Sequence, residues 1–209
     1  MSAHSGSITK LEVIIPFREP RAEAPAVTAV RGLLLVSSLQ ALRACGKFDE
    51  YLKRLPAELH EPILTAVTSA TVELSIATRH YQACDSLGLT ALEMEANGKR
   101  VGEKVNASML ATAAALARGA GVTPWIGLQA MSRLWARLFD GGNLCILKIG
   151  PKDARVIVDK VPLARIEYFR RSFIGVNYVG FELFTRRVII QDRYSPKTPE
   201  LLEYQASWV

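Results

Sequence analysis

The sequence is poor in the residues that most often build metal sites and catalytic sites. Only three histidines and three cysteines are spread over 209 residues. A zinc site needs three or four ligands. The sequence has one histidine close to a cysteine, and no second pair of ligands accompanies them. A Gly-x-Ser-x-Gly elbow, a Walker loop and a Cys-x-x-Cys-His haem attachment motif are all missing. The sequence therefore predicts no catalytic residue, no bound metal and no cofactor.

The closest histidine–cysteine pair is His80 and Cys84, which are one helical turn apart. On a helix they share one face, as metal ligands or a nucleophile and its base can. Asp85 lies off that face, so a third ligand is not at hand. A surface or helix-end histidine explains His80 more simply, and that is the interpretation we favour.

Long apolar runs and targeting signals are also lacking. The apolar runs at 32–36 and 109–116 are far shorter than the roughly 20 residues of a membrane span. No basic segment followed by an apolar one begins the chain, so a secretory signal is not expected. The odd number of widely spaced cysteines favours reduced thiols. These features predict a cytoplasmic protein without a membrane partner.

Positive charge is concentrated in the C-terminal half. Residues 1–117 contain twelve Lys/Arg and twelve Asp/Glu, whereas residues 118–209 contain fourteen Lys/Arg against eight Asp/Glu. A basic half of this kind could bind an anionic partner. A nucleic-acid-binding regulator is therefore the alternative function. A dense Lys/Arg run is missing, so a soluble basic face is the simpler interpretation.

The order of predicted elements indicates an α+β fold. Residues 1–27 are punctuated by prolines and predict an arm and linker, with a short edge strand in 11–17. Residues 28–209 predict a single domain that begins with helices at 28–44 and 62–87. The second helix is rich in β-branched residues, so a break near Ser75 is left open. Strands at 143–149, 154–161, 187–193 and 202–209 predict an antiparallel sheet of about four strands with helices on one face. A helix is expected after Pro162, with an interruption at Gly175.

Residues 105–139 predict a helical hairpin around which the domain is organised. The first helix, at 103–117, would end at Gly119 and Gly121, and the second would begin with Thr123 as N-cap and Pro124 in the first turn. The second helix carries a stripe of large apolar residues at helical spacing. With two aromatic residues of the facing helix, that stripe either fills the core or lines a ligand pocket; the pocket candidates are Trp125, Leu128, Met131, Trp135, Tyr168 and Phe169.

A basic, glycine-flanked segment precedes this hairpin. Asn97-Gly98 predicts a tight bend, and Lys99, Arg100 and Lys104 would then surround the start of a helix. Helix N-termini bind anions, so these three residues are candidates for anion binding. The simpler alternative is a solvated turn.

Several short motifs, in this order, resemble a paralogous family of regulatory-type domains that is expanded in myxobacteria. The motifs are Arg31-Gly32, Tyr51 with Leu55-Pro56, Tyr81 before Leu87-Gly88, Thr123-Pro124-Trp125, the hairpin, and the aromatic helix at 168–173. The layout is also similar to haem-dependent nitric-oxide-sensor and vinyl-reductase-type small-molecule-binding domains. The resemblance implies helices packed against a four-stranded antiparallel sheet, with ligands held between the layers. The Tyr-x-Ser-x-Arg motif of the haem sensors is missing, so the resemblance does not carry haem with it.

Together these observations predict a non-catalytic regulatory, small-molecule-sensing or docking module. Its ligand would be a small apolar molecule or a partner protein, and the chain is expected to form a homodimer.

Overall fold

The chain folds as an α+β protein in a computed structural model that describes residues 11–109 and 123–209. The described helices are α1 Gly32–Ala44, α2 Phe48–Arg54, α3 His60–Leu64, α4 Leu74–Asp85, α5 Ala91–Met109, α6 Pro124–Leu138 and α7 Glu167–Glu182. The strands are β1 Glu12–Ile15, β2 Ala29–Arg31, β3 Thr71–Glu73, β4 Phe139–Asp140, β5 Asn143–Gly150, β6 Asp153–Asp159, β7 Val188–Asp192 and β8 Leu202–Trp208. Short 3₁₀ turns occupy Ala57–Leu59 and Pro162–Arg165. The predicted fold class is confirmed.

The main sheet is antiparallel and has the strand order β1-β5-β6-β8-β7. Side chains alternate across a strand, and on β6 and β8 every second residue is buried. Tyr204 on β8 meets Met131 of α6 and Asn177 of α7, so both helices lie on this face. The four predicted strands are confirmed, and the segment 11–17 adds β1 as a fifth strand at the edge. The loop between β5 and β6 has two residues, because Gly150 pairs with Asp153.

Beyond β1, the side-chain amide of Asn143 helps to hold the N-terminal arm against the sheet. Asn143 is buried; its Oδ1 accepts a bond from the Arg18 N–H, and its Nδ2 donates to the Glu19 carbonyl. An amide group that satisfies one donor and one acceptor replaces a strand partner for this irregular segment. The domain boundary predicted at residue 27 stays a prediction.

A second, three-stranded sheet was missed by the sequence pattern. Its order is β3-β2-β4, and both pairs are antiparallel. The predicted helices at 28–44 and 62–87 are therefore wrong in part. Strand β2 occupies Ala29–Arg31 near the start of the first, and β3 at Thr71–Glu73 interrupts the second, close to the break that was left open near Ser75. The β-branched residues of that region fit a strand better than a helix interior.

Helices α5 and α7 cross in direct backbone contact. A methyl group on Gly98 of α5 would overlap the Ser172 carbonyl, and one on Gly175 of α7 would overlap the Glu95 carbonyl. Each glycine lies in the interior of its helix, which continues past it without a break. The bend predicted at Asn97-Gly98 and the interruption predicted at Gly175 are wrong, because the missing side chains serve helix packing rather than a turn.

The start of α6 matches the prediction for the second helix of the hairpin. Thr123 is the N-cap residue with an extended backbone, and Pro124 occupies the first turn, although the Thr123 side chain makes no capping bond. The first helix begins earlier than predicted, at Ala91 rather than Glu103. The glycine break predicted at Gly119 and Gly121 lies outside the described residues.

Candidate functional site

An aromatic cleft opens at the N-terminal end of α6. Its walls are Trp125, Phe184 and Trp208, and its volume is about 780 Å³. The Trp125 and Trp208 rings meet edge to face, with their centroids 4.8 Å apart. The cleft joins the first turn of α6, the β5–β6 loop, the end of α7 and the end of β8. We call it the aromatic cleft below.

Local structure explains why these rings converge. Pro124 starts α6 and places Trp125 in its first turn, where the indole Nε1 donates to the Pro151 carbonyl at 3.1 Å. Trp208 follows the buried alternation of β8 and so faces the helices. Gly127 leaves room for the Phe184 ring, which lies 2.6 Å from the position of a Cβ at residue 127.

The rim of the aromatic cleft carries two free cations. Lys152 and Arg186 line it and are exposed. Neither forms an ion pair within residues 11–109 and 123–209. The one acidic residue of the lining, Glu182, is paired with Lys99 at 3.4 Å. Residues 1–10 and 110–122 contain no Asp or Glu that could add a carboxylate. The side chains of the rim therefore carry a net positive charge.

The α6 residues predicted to line a pocket divide between this cleft and the core. Trp125 lines the cleft, but Leu128 is buried in the hydrophobic core. The Met131 sulfur lies 3.6 Å from the hydroxyl oxygen of Tyr204 on β8. Trp135 is buried and stacks on Phe139, with a centroid distance of 4.0 Å. For most of the stripe, the core alternative describes the structure.

The two predicted α7 residues lie away from the cleft. Tyr168 and Phe169 are both buried, and their rings lie 6.4 Å and 5.1 Å from the ring of Tyr81 on α4. Helix α7 meets Trp135 through Phe173 instead. The aromatic partners of Trp125 are Phe184 and Trp208, which sequence reasoning did not select. Their separation from Trp125 along the chain gives no local signal of contact.

The candidate anion-binding residues stand in the middle of α5. Lys99 is paired with Glu182 and lies over the Tyr178 ring at 4.7 Å, and Arg100 donates to the Asn97 side chain. Lys104 is exposed on the same helix. The helix N-terminus that motivated this prediction begins at Ala91, so these residues do not surround it. Anion binding by the three remains a prediction without that basis.

His80 is the centre of a buried polar network. Its ring is fully buried on α4, with Nδ1 2.8 Å from the Tyr51 hydroxyl and Nε2 2.9 Å from the Ser38 hydroxyl. The favoured interpretation of a surface or helix-end histidine is therefore wrong. Cys84 lies beside it, with its sulfur 3.8 Å from Nε2. Burial lowers the pKa of His80 to about 3 and raises the pKa of the Cys84 thiol. Both groups are neutral at pH 7, so Cys84 is not a thiolate nucleophile. Both ring nitrogens of His80 are engaged in hydrogen bonds and are not free to bind a metal.

A second cleft, of about 830 Å³, lies between the N-terminal arm and the C-terminal end of α6. Its floor includes Trp135. Charges of both signs line it, among them Arg18, Glu19, Arg133 and Asp140. Because the signs are mixed, this cleft has less charge preference than the aromatic cleft.

Part of the positive charge of the C-terminal half is paired within the fold. Arg155, Arg165, Arg170 and Arg171 each contact a carboxylate. This pairing gives the nucleic-acid alternative no support.

In residues 11–109 and 123–209, no group of three or more His, Cys, Asp or Glu side chains could hold a metal ion. No described helix has both the length and the apolar character needed to cross a membrane.

Comparison with known proteins relates this fold to H-NOX structures. An unliganded Fe(II) H-NOX protein from K. algicida has a TM-score of 0.57 and 10% identity, over 86% of this chain and 96% of that chain. An oxygen-binding H-NOX domain related to soluble guanylate cyclases has a TM-score of 0.54 and 10% identity, over 85% of this chain and 94% of that one. A structure from work on haem distortion in the H-NOX family has a TM-score of 0.57 and 10% identity, over 85% and 94%. No family model and no curated protein sequence matches this chain, so the myxobacterial resemblance stays a prediction. At this identity the likeness concerns the fold.

Proposed function

We propose that this chain is a non-catalytic module that senses a small apolar molecule held in the aromatic cleft. The observation that carries the proposal is a volume of about 780 Å³ walled by three aromatic side chains from different elements. Ligand pockets of proteins span about 300–1,000 Å³ and are lined mainly by apolar and aromatic groups. A ligand there would contact α6, α7 and the sheet together, so its binding energy could shift α6 against the sheet.

Two further observations support sensing over catalysis. The structures that share the fold include an oxygen-binding domain, which favours small-molecule binding as the use of this architecture. The His80–Cys84 pair is neutral and buried, whereas nucleophilic catalysis by cysteine needs a thiolate. Homodimer formation, a protein partner and a cytoplasmic location remain predictions.

Haem does not fit the aromatic cleft, the second cleft or the space beside His80. Haem iron in proteins is held by His, Cys, Met or Tyr. Neither the aromatic cleft nor the second cleft has any of these four residue types in its lining. Both ring nitrogens of His80 are already hydrogen-bonded, and the cavity beside its partner Ser38 has a volume of about 20 Å³. A space of this size holds little more than one water molecule.

The purified protein is therefore expected to leave added ferric haem in its free spectral form. An absorption titration over one to two equivalents should show no saturable Soret shift, and reduction followed by carbon monoxide should reveal no protein-bound species. A one-to-one Soret change that is lost in a His60→Ala or His80→Ala variant would contradict this expectation.

Replacing Trp125 by alanine should weaken binding of the apolar fluorescent probe N-phenyl-1-naphthylamine by about tenfold. Burying an aromatic or large aliphatic side chain contributes about 1.5–3 kcal/mol, and about 1.4 kcal/mol corresponds to a tenfold change in affinity. The probe affinity follows from its fluorescence increase on titration with protein. Ile126 is the next residue on the same helix and is 52% exposed, so Ile126→Ala is the matched control and should change affinity less than twofold. Absence of probe binding, or equal losses in both variants, would overturn the proposal.

A further inference from the structure

We infer that the aromatic cleft prefers, among small molecules with a flat apolar body, those that also carry one anionic group. This inference rests on the proposed function, since it names the ligand class of the same cleft. The apolar half of the argument is the wall of Trp125, Phe184 and Trp208. Indole and phenyl faces offer a broad apolar surface on which a flat ligand body can pack.

The anionic half of the argument comes from the rim. Lys152 lies in the β5–β6 loop and Arg186 follows α7, so the two cations reach the same opening from different elements. Two like charges at one opening repel each other, and an anion that binds between or beside them offsets this repulsion. The single side-chain carboxylate of the lining, on Glu182, is already paired with Lys99. The side chains of the lining therefore leave the charges of Lys152 and Arg186 without a partner.

The main chain around the rim keeps the two cations in place without using their side chains. The Trp208 N–H donates to the Lys152 carbonyl at 3.0 Å. The Thr185 hydroxyl donates to the Val209 carbonyl at 2.8 Å and lies 3.2 Å from the Arg187 carbonyl. The Lys152 and Arg186 side chains can therefore be truncated with these bonds intact. A double alanine variant removes charge from the rim while the aromatic walls remain.

A matched pair of probes tests the charge preference. 1-Anilinonaphthalene-8-sulfonate and N-phenyl-1-naphthylamine share their rings and differ in the sulfonate. Lys152→Ala/Arg186→Ala should weaken sulfonate binding about tenfold and change binding of the neutral probe less than twofold, since each exposed charge pair contributes about 1.5- to 5-fold. Lys53→Ala/Lys197→Ala is the control, because both lysines are exposed, lie outside the cleft and give the same change of net charge. In the wild type, sulfonate binding should also weaken in 1 M salt, where the Debye length falls to about 3 Å.

The outcomes separate the two proposals. Selective loss of the sulfonate probe in the rim variant, with the control unchanged, supports the inference. Equal effects on both probes, or an equal loss in the control variant, overturn the anion preference and leave the proposed function standing if Trp125→Ala still weakens the neutral probe. Failure of the wild type to bind either probe overturns both.

Discussion

Replacing Gly175 by alanine should destabilise the protein by about 3 kcal/mol, because a methyl group has no room at the helix crossing. Its Cβ would overlap the Glu95 carbonyl and lie 2.8 Å from the Lys99 nitrogen, both of which belong to the backbone of α5. Backbone atoms cannot rotate away as a side chain can, so the two helices must separate. Alanine's better helix propensity returns about 1 kcal/mol and does not offset that separation.

Gly180 provides the control on the same helix. A Cβ at this position meets nothing within 4 Å, and its backbone φ is not in the left-handed region. Gly180→Ala should therefore stabilise the protein by about 0.5–1 kcal/mol through helix propensity alone. Urea unfolding followed by circular dichroism measures both variants. For a chain of this length a loss of about 3 kcal/mol corresponds to a melting temperature roughly 6–12 °C lower. Equal effects at the two glycines would show that α5 and α7 do not touch at Gly175.

Lowering the pH from 6.5 to 5 should reduce the free energy of unfolding by about 2 kcal/mol through His80 alone. Burial lowers the pKa of this ring to about 3, whereas an unfolded histidine has a pKa of about 6.5. Between these two values the unfolded chain binds a proton that the folded chain does not bind. Stability therefore falls with decreasing pH, by about 1.4 kcal/mol per pH unit, and is fully present above pH 6.5.

The His80→Gln variant isolates this contribution. It should be less stable at pH 7.5, since one hydrogen bond to Tyr51 or Ser38 is lost, but its stability should change less between pH 6.5 and 5. Urea unfolding at several pH values gives the slope for both proteins. The window stays above pH 5 because carboxylates begin to titrate below it. The same slope in both proteins would show that His80 is not the buried neutral group.

Sequence patterns predicted the sheet well because its signals are local. The alternation on β6 and β8 and the turn residues between β5 and β6 are properties of neighbouring positions. The Thr123-Pro124 start of α6 is likewise a local preference of cap and first-turn residues. The same logic failed at Gly98 and Gly175, since a glycine that ends a helix and one that lets another helix approach look alike in sequence.

The candidate site was predicted only in part, and the reason is the distance along the chain between its members. Trp125 stood out at the head of an apolar helical stripe, but its partners Phe184 and Trp208 come from the end of α7 and from the last strand. Whether a residue of the apolar stripe on α6 lies in a cleft or in the core depends on which element packs against it. Trp135 stacks on Phe139 and is buried in the floor of the second cleft, whereas Trp125 packs against Trp208 at the open end of the sheet.

The amino-acid sequence by itself determined the α+β class, the four later strands, the start of α6 and the excess of positive charge in the C-terminal half, because each depends on local propensity or composition. Only the tertiary structure decided that His80 is buried and neutral, that two glycines allow α5 and α7 to cross, and that Lys152 and Arg186 share one opening. These features depend on contacts between segments far apart in the chain, and such contacts leave no periodic signal in the sequence.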